Sequence, residues 1–171
     1  MANIAECEEL MMGKLRTLPS VFEPYHYTAT NCAAYLKKYI RPGCSVLDIG
    51  TGTGILALKA REYGAGRILA TDIQPEAVEC ARINCEGKDI EIMKADLNHD
   101  IKERFDITVA NLYANPAIEF LQYAADTMNP DGILILTWYS EASWLLIEEY
   151  FDIIEHTDGH LFNTYVLKAK A

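Results

Sequence analysis

Ser45-Val46-Leu47-Asp48-Ile49-Gly50-Thr51-Gly52-Thr53-Gly54-Ile55-Leu56-Ala57 is the stretch around which the chain is organised. An apolar run enters it, glycines stand at every second position in its middle, and a helix-like pattern leaves it. A buried strand that turns tightly into a helix reads this way. Glycine tolerates positive φ and lets a ligand approach the main chain, and the helix start beyond offers unpaired N–H groups. Asp48 puts a carboxylate at the end of the strand.

Outward from this turn the pattern alternates. Strand 44–49 is followed by helix 54–64, strand 67–71, helix 75–86 with Pro75 at its first position, strand 89–93 and a short polar segment. Strand 105–110, helix 116–128, a turn at Asn129-Pro130-Asp131-Gly132, strand 132–138 and helix 140–149 come next. Strands 151–156 and 161–168 flank Thr157-Asp158-Gly159-His160, where Asp-Gly is a hairpin signal. The run Ile133-Leu134-Ile135-Leu136 is continuously apolar, as a strand covered on both faces requires. Upstream, a helix is expected from Thr30 to Tyr39, capped by Thr30 or Asn31, with 20–28 irregular. Periodic apolar residues predict a helix over 2–16, serving as a cap, a dimer contact or a lid. The fold class is therefore α/β: a doubly wound, Rossmann-like, mostly parallel seven-stranded sheet with helices on both faces and a C-terminal antiparallel hairpin. Ligands of such sheets bind at the C-terminal ends of the strands.

The glycine spacing discriminates between ligands. A phosphate-cradling loop needs Gly-Lys-Ser/Thr, but Gly54 is followed by Ile55-Leu56. A dinucleotide fingerprint starting at Gly50 finds Ile55 at its third glycine. Started at Gly52 it finds Ala57, which leaves Asp48 and Gly50 unexplained. Asp48-x-Gly50-x-Gly52-x-Gly54 instead resembles motif I of the class I S-adenosylmethionine-dependent methyltransferases. That cofactor has no pyrophosphate. Its carboxylate suits N–H groups at a helix start, and its cationic amine and sulfonium suit acidic neighbours such as Asp48.

The following strand ends extend the resemblance. Asp72 can accept both ribose hydroxyls. Asp96, in Lys94-Ala95-Asp96-Leu97, matches the position of a carboxylate for the adenine amino group, and Ile73 and Leu97 would line the adenine slot. Thr51 and Ala95 complete the expected cofactor set. Asn111 offers a carbonyl that can orient an amine, and Tyr113 an aromatic wall; these two are the candidate catalytic residues. His26, Tyr27, Trp138 and Tyr139 are candidates for the rim, with His26 also considered as a general base and Trp138 also as core.

Asp48-Ile49-Gly50-Thr51-Gly52-Thr53-Gly54-Ile55-Leu56-Ala57, Thr71-Asp72-Ile73-Gln74-Pro75-Glu76-Ala77 and Ala110-Asn111-Leu112-Tyr113-Ala114-Asn115-Pro116 together resemble the ribosomal protein L-eleven methyltransferase family, over about residues 24–168. The resemblance implies methylation of amino groups with S-adenosylmethionine, leaving S-adenosylhomocysteine, and implies cofactor contacts at Gly50, Asp72 and Asn111. It also implies a contact from Thr28, since the family carries a His and a Thr-Thr pair before its first core helix. Here His26 and Thr28 match, the second Thr is Ala29, and the family's glycines are missing. Residues 1–25 then form a helical extension, where full-length members carry a recognition domain, and 26–171 the cofactor-binding domain. The acceptor is an amine on a protein or a small molecule. A cofactor-binding module without activity and an NAD-dependent oxidoreductase are the alternatives.

Composition fits that reading. With 171 residues, half of them hydrophobic, the chain can bury a substantial core. A net charge of −10 without a basic cluster disfavours nucleic acid as partner. Five cysteines without a Cys-x-x-Cys point to buried reduced thiols rather than disulfides or a metal site. Acidic residues near the N-terminus and the lack of a long apolar run predict a soluble, cytoplasmic protein with no membrane segment.

Overall fold

The computed structural model describes residues 15–21, 26–96, 100–112, 118–139 and 143–170. The expected helix over 2–16 lies almost wholly outside these residues, as do Leu97 and Tyr113. Five helices and seven strands are present among the described residues. In chain order they are α1 (His26–Tyr39), β1 (Val46–Ile49), α2 (Ile55–Glu62), β2 (Ile68–Asp72), α3 (Pro75–Asn84) and β3 (Glu91–Lys94). There follow β4 (Phe105–Asn111), α4 (Ile118–Asp126), β5 (Met128–Tyr139), α5 (Ser143–Tyr150), β6 (Phe151–Thr157) and β7 (Phe162–Ala169). The sheet order is β3-β2-β1-β4-β5-β7-β6, with β1 in the interior between β2 and β4 and β7 inserted antiparallel between β5 and β6. This is the doubly wound sheet with a C-terminal antiparallel hairpin that the alternation predicts.

Period-two alternation divides the strand residues between two cores. Val46, Ile68, Ala70, Ile107, Val109, Ile133 and Ile135 pack with α1 and α2 through Ala29, Leu36, Leu56 and Ala60. Leu47, Ile49, Leu69, Leu134, Leu136 and Trp138 pack with α4 and α5 through Phe120, Leu121 and Ile147. Helices thus cover both faces. Trp138 is 1% exposed within the second core, so its core reading holds and its rim reading does not. Phe105 is fully buried in the same core. Phe105→Ala is expected to cost about 3–5 kcal/mol through lost transfer energy and an unfilled cavity, measured as a fall in urea midpoint at unchanged slope.

Two local expectations are corrected. Helix α1 begins at His26 rather than Thr30. Thr30 and Asn31 are therefore inside it, and residues 26–28 are helical. The pull comes from tertiary contacts along one side of the helix. The Tyr27 hydroxyl donates to the Asp158 carbonyl (2.7 Å), Tyr35 bonds Thr157 (2.7 Å), and Lys38 and Tyr39 both bond Glu155. Second, 129–131 is not a free turn: β5 starts at Met128. Phe105 pairs with Met128 but Ile107 pairs with Ile133, so the extra residues form a bulge. Asn129 donates there to Asp106 Oδ1 (2.7 Å), while Asp106 Oδ2 accepts the Ser45 N–H (2.8 Å) and hydroxyl (2.9 Å). These bonds hold the Asp106 carboxyl below its usual pKa.

Cys32, Cys80 and Cys85 are buried and Cys44 half-buried, all as free thiols. Burial pushes the Cys32 and Cys85 thiols up to about 12, so neither is a reactive thiolate. Among the described residues no helix is long and apolar enough to cross a membrane.

Candidate functional site

Strand register builds the site. Ile49 of β1 pairs with Thr71 of β2 on one side and with Ala110 of β4 on the other. The next residue on each strand is Gly50, Asp72 and Asn111, so these three stand side by side at the C-terminal edge of the sheet. Asp72 in turn pairs with Lys94, and the Ala95 N–H donates to the Asp72 carbonyl (3.0 Å). Asp96 lies one residue beyond, exposed, its N–H bonded to Asp100 Oδ2 (3.0 Å). Ile73 is 54% exposed next to Asp72. An apolar side chain standing in solvent at a strand end suits a flat ring.

The glycine loop is held by main-chain geometry. Gly50, Gly52 and Gly54 have φ of +67°, +54° and +84°. Gly54 occupies the cap position of α2. A Cβ at Gly54 would meet Cys85 Sγ at 2.8 Å and one at Gly50 would meet Leu112 Cδ2 at 2.6 Å. Asp72 grips the loop from the front: its Oδ2 accepts the Gly52 N–H and its Oδ1 the Gln74 N–H, both at 3.0 Å. Each carboxylate oxygen keeps a lone pair for a further donor.

Asp48 and Thr51 turn inward. Asp48 is 1% exposed, and its Oδ2 accepts the Thr51 hydroxyl (2.6 Å) and the Ala57 N–H (3.2 Å). The carboxylate therefore caps the first turn of α2 across the loop, satisfying one of its orphan donors. Burial pushes its pKa up to about 7, against the Thr51 and Ala57 hydrogen bonds that favour the charged form. The unfolded chain releases this proton near pH 4 and the folded chain near 7, so the folded state binds more protons between them. Stability accordingly falls as pH rises through that window, by up to about 4 kcal/mol. Asp48→Asn, whose carbonyl accepts the same two bonds, is expected to remove this slope in urea unfolding measured from pH 4.5 to 7.5. A slope unchanged in the variant would place the titration elsewhere.

At the other end of the row, Asn111 is half-buried and its Oδ1 is sequestered from water without a hydrogen-bond partner among the described residues. A sequestered acceptor left open costs stability and points to an absent donor. Thr28 is buried in the first turn of α1. Tyr27 is half exposed, and the His26 and Tyr139 side chains lie outside the described residues. The structure thus brings Gly50, Gly52, Asp72, Ala95 and Asn111 together, with Ile73 and Asp96 alongside. Leu112, part of the motif at 110–116, lies over Gly50. One neighbour carried no sequence signal: Asn84, whose amide donates to the Thr53 carbonyl (2.9 Å).

A glycine turn after β1, with a polar residue ending each strand beside it and an antiparallel hairpin closing the sheet, is the arrangement of the class I methyltransferase fold. A model of the ribosomal protein L11 methyltransferase family matches residues 25–158, and the chain belongs to that family. It is 38% identical over 145 residues to the ribosomal protein L11 methyltransferase of Thermosipho africanus, covering 84% of this chain and 55% of that protein. It is 35% identical over 145 residues to the namesake from Caldicellulosiruptor saccharolyticus, covering 84% of this chain and 46% of the relative. The chain thus spans about half the length of the curated relatives it matches. Among solved structures, the ribosomal protein L11 methylase of Lactobacillus delbrueckii superposes with a TM-score of 0.78 at 28% identity, covering 92% of this chain and 86% of that one. A TehB-like SAM-dependent methyltransferase of Corynebacterium glutamicum shares the fold, with a TM-score of 0.67 at 17% identity over 81% of this chain and 87% of its own.

Proposed function

We propose that the domain transfers a methyl group from S-adenosylmethionine to an amino group, with a ribosomal-protein side chain as the favoured acceptor. The observation that carries this reading is the row Gly50, Asp72 and Asn111, which ends in a sequestered acceptor oxygen without a donor among the described residues. The residues fit the cofactor. The positive-φ glycines keep the loop free of side chains at Gly50, Gly52 and Gly54, with open space at Gly52, for the amino-acid portion, and Asp48, Thr51 and Thr28 would support that wall. Asp72 would take the ribose hydroxyls, and Ile73, Ala95 and Asp96 would hold the adenine, for which Leu97 is also a candidate outside the described residues. When bound, S-adenosylmethionine supplies a methyl group already activated by its sulfonium.

What remains for the protein is positioning. The Asn111 carbonyl accepts an N–H of the incoming amine, which must arrive deprotonated, and aligns its lone pair. Tyr113, outside the described residues, is the candidate for an aromatic group whose face would favour the developing ammonium. The name of the relatives points to a ribosomal protein as acceptor. The acidic surface, with a net charge of −10, suits a basic protein segment.

Titration calorimetry with S-adenosylhomocysteine and with NAD tests the cofactor: heat is expected with the former and none with the latter. Failure to bind S-adenosylhomocysteine would sink the reading. Labelled donor added to cell extract then tests the acceptor. Label on a protein supports protein methylation, and label confined to small molecules overturns that part.

A further inference from the structure

We propose that Asn84 is a positioning residue that ties the segment 15–21 to the back of the glycine loop, so that this segment sets the affinity for the cofactor. The inference rests on the loop being the cofactor site. Asn84 is the last residue of α3, and its amide group is shared between two pieces of main chain. Its Oδ1 accepts the Arg16 N–H at 2.9 Å, and its Nδ2 donates to the Arg16 carbonyl at 2.8 Å. A side-chain amide bonded both ways to one residue acts like a rung of a backbone ladder. The other N–H of the same nitrogen reaches the Thr53 carbonyl at 2.9 Å. Thr53 stands between the second and third glycines and is 2% exposed.

The surroundings leave the bridge little slack. Cys80, one turn earlier on α3, donates its thiol to the same Arg16 carbonyl at 3.1 Å. Val21 packs on Ala77 and Cys80, with Leu18 against them. Behind the loop, a Cβ at Gly54 would stand 3.4 Å from the Ala81 Cα, so the loop lies directly on the last turn of α3. Three glycines give the loop few side chains with which to hold itself. It is gripped in front by Asp72 through the Gly52 N–H and behind by Asn84 through the Thr53 carbonyl. A shift of the segment 15–21 moves Asn84, and through it the loop wall against which the cofactor would lie.

The test uses the full chain with Asn84→Ala, Asn84→Asp and Arg16→Pro, the last removing the N–H that Asn84 accepts. S-adenosylhomocysteine binding is read by calorimetry, and hydrogen exchange is followed at the amides of residues 50–56. Asn84→Asp keeps the acceptor for Arg16 but lacks the donor for Thr53. Both Asn84 variants are expected to weaken binding about tenfold and to speed loop exchange. Arg16→Pro is expected to give a smaller loss, and Asn84→Ala on that background to cost less than on the wild type. A residue that only packs would lower the melting temperature while leaving affinity and loop exchange unchanged. Affinities within about twofold of wild type with unchanged exchange would overturn the proposal, and fully additive losses would overturn the link to the segment. Should the wild type itself not bind S-adenosylhomocysteine, the cofactor reading fails instead. Loop exchange in the ligand-free variants then decides the bridge by itself.

Discussion

Asn111→Ala is expected to slow methyl transfer about a hundredfold, the cost of a misaligned acceptor, while leaving the melting temperature nearly unchanged. The two halves of that result have one origin. Asn111 Oδ1 is shielded from water with no donor among the described residues. Losing that oxygen breaks none of the hydrogen bonds found among the described residues and relieves a desolvated acceptor, so the fold is expected to lose little. The loss falls on the incoming amine, whose lone pair is no longer aligned. Turnover with labelled methyl donor, alongside thermal unfolding, checks both halves. A variant with wild-type turnover would take Asn111 out of the reaction, and a large fall in melting temperature would make it a structural residue.

Gly50→Ala is expected to lower S-adenosylhomocysteine affinity by about a hundredfold, equivalent to nearly 3 kcal/mol. Two effects combine. At φ +67° a Cβ strains the backbone by about 1–2 kcal/mol. The new methyl would also stand 2.6 Å from Leu112 Cδ2, so Leu112 must move, and Leu112 directly follows Asn111. The substitution therefore disturbs the glycine loop and the end of β4 together, the two parts of the proposed site. Gly52→Ala, where φ is +54° and no atom lies within 4 Å of the added carbon, isolates the backbone strain and is expected to lose less affinity. Equal losses at the two positions, read by calorimetry, would show that the contact with Leu112 contributes nothing.

Much of this architecture was legible in the chain because strand ends and glycines report directly on backbone geometry. Gly50, Asp72 and Asn111 were readable as a set because each closes an apolar strand, and parallel register places strand ends in a row. The Asp-Gly at 158–159 likewise announced the β6–β7 hairpin. What escaped reading depends on contacts distant in sequence. The first turn of α1 exists because Tyr27 reaches Asp158, 131 residues away, and no local propensity carries that information. The bulge at 129–132 replaced a turn because Asp106 offers Asn129 a partner on the neighbouring strand. The spacing of Asp48 to Gly50 suggests a group near the ligand, whereas its inward bonds to Thr51 and Ala57 follow from the way the loop folds back and are not visible in the sequence. Asn84 gave no signal, since its partners are main-chain atoms on two remote segments.

The insertion of β7 between β5 and β6 sets the order in which the domain can be completed during synthesis. Strand β6 leaves the ribosome before β7, yet β7 is its partner in the finished sheet. Until residues 162–169 emerge, β5 and β6 each present an unsatisfied edge, and the fully buried Val166 and Leu167 are missing from the two cores. The nascent chain therefore carries an open gap within its sheet, a state prone to pairing with other chains. Insertion of β7 closes that gap on both sides and leaves β3 and β6 as the outer strands of the sheet.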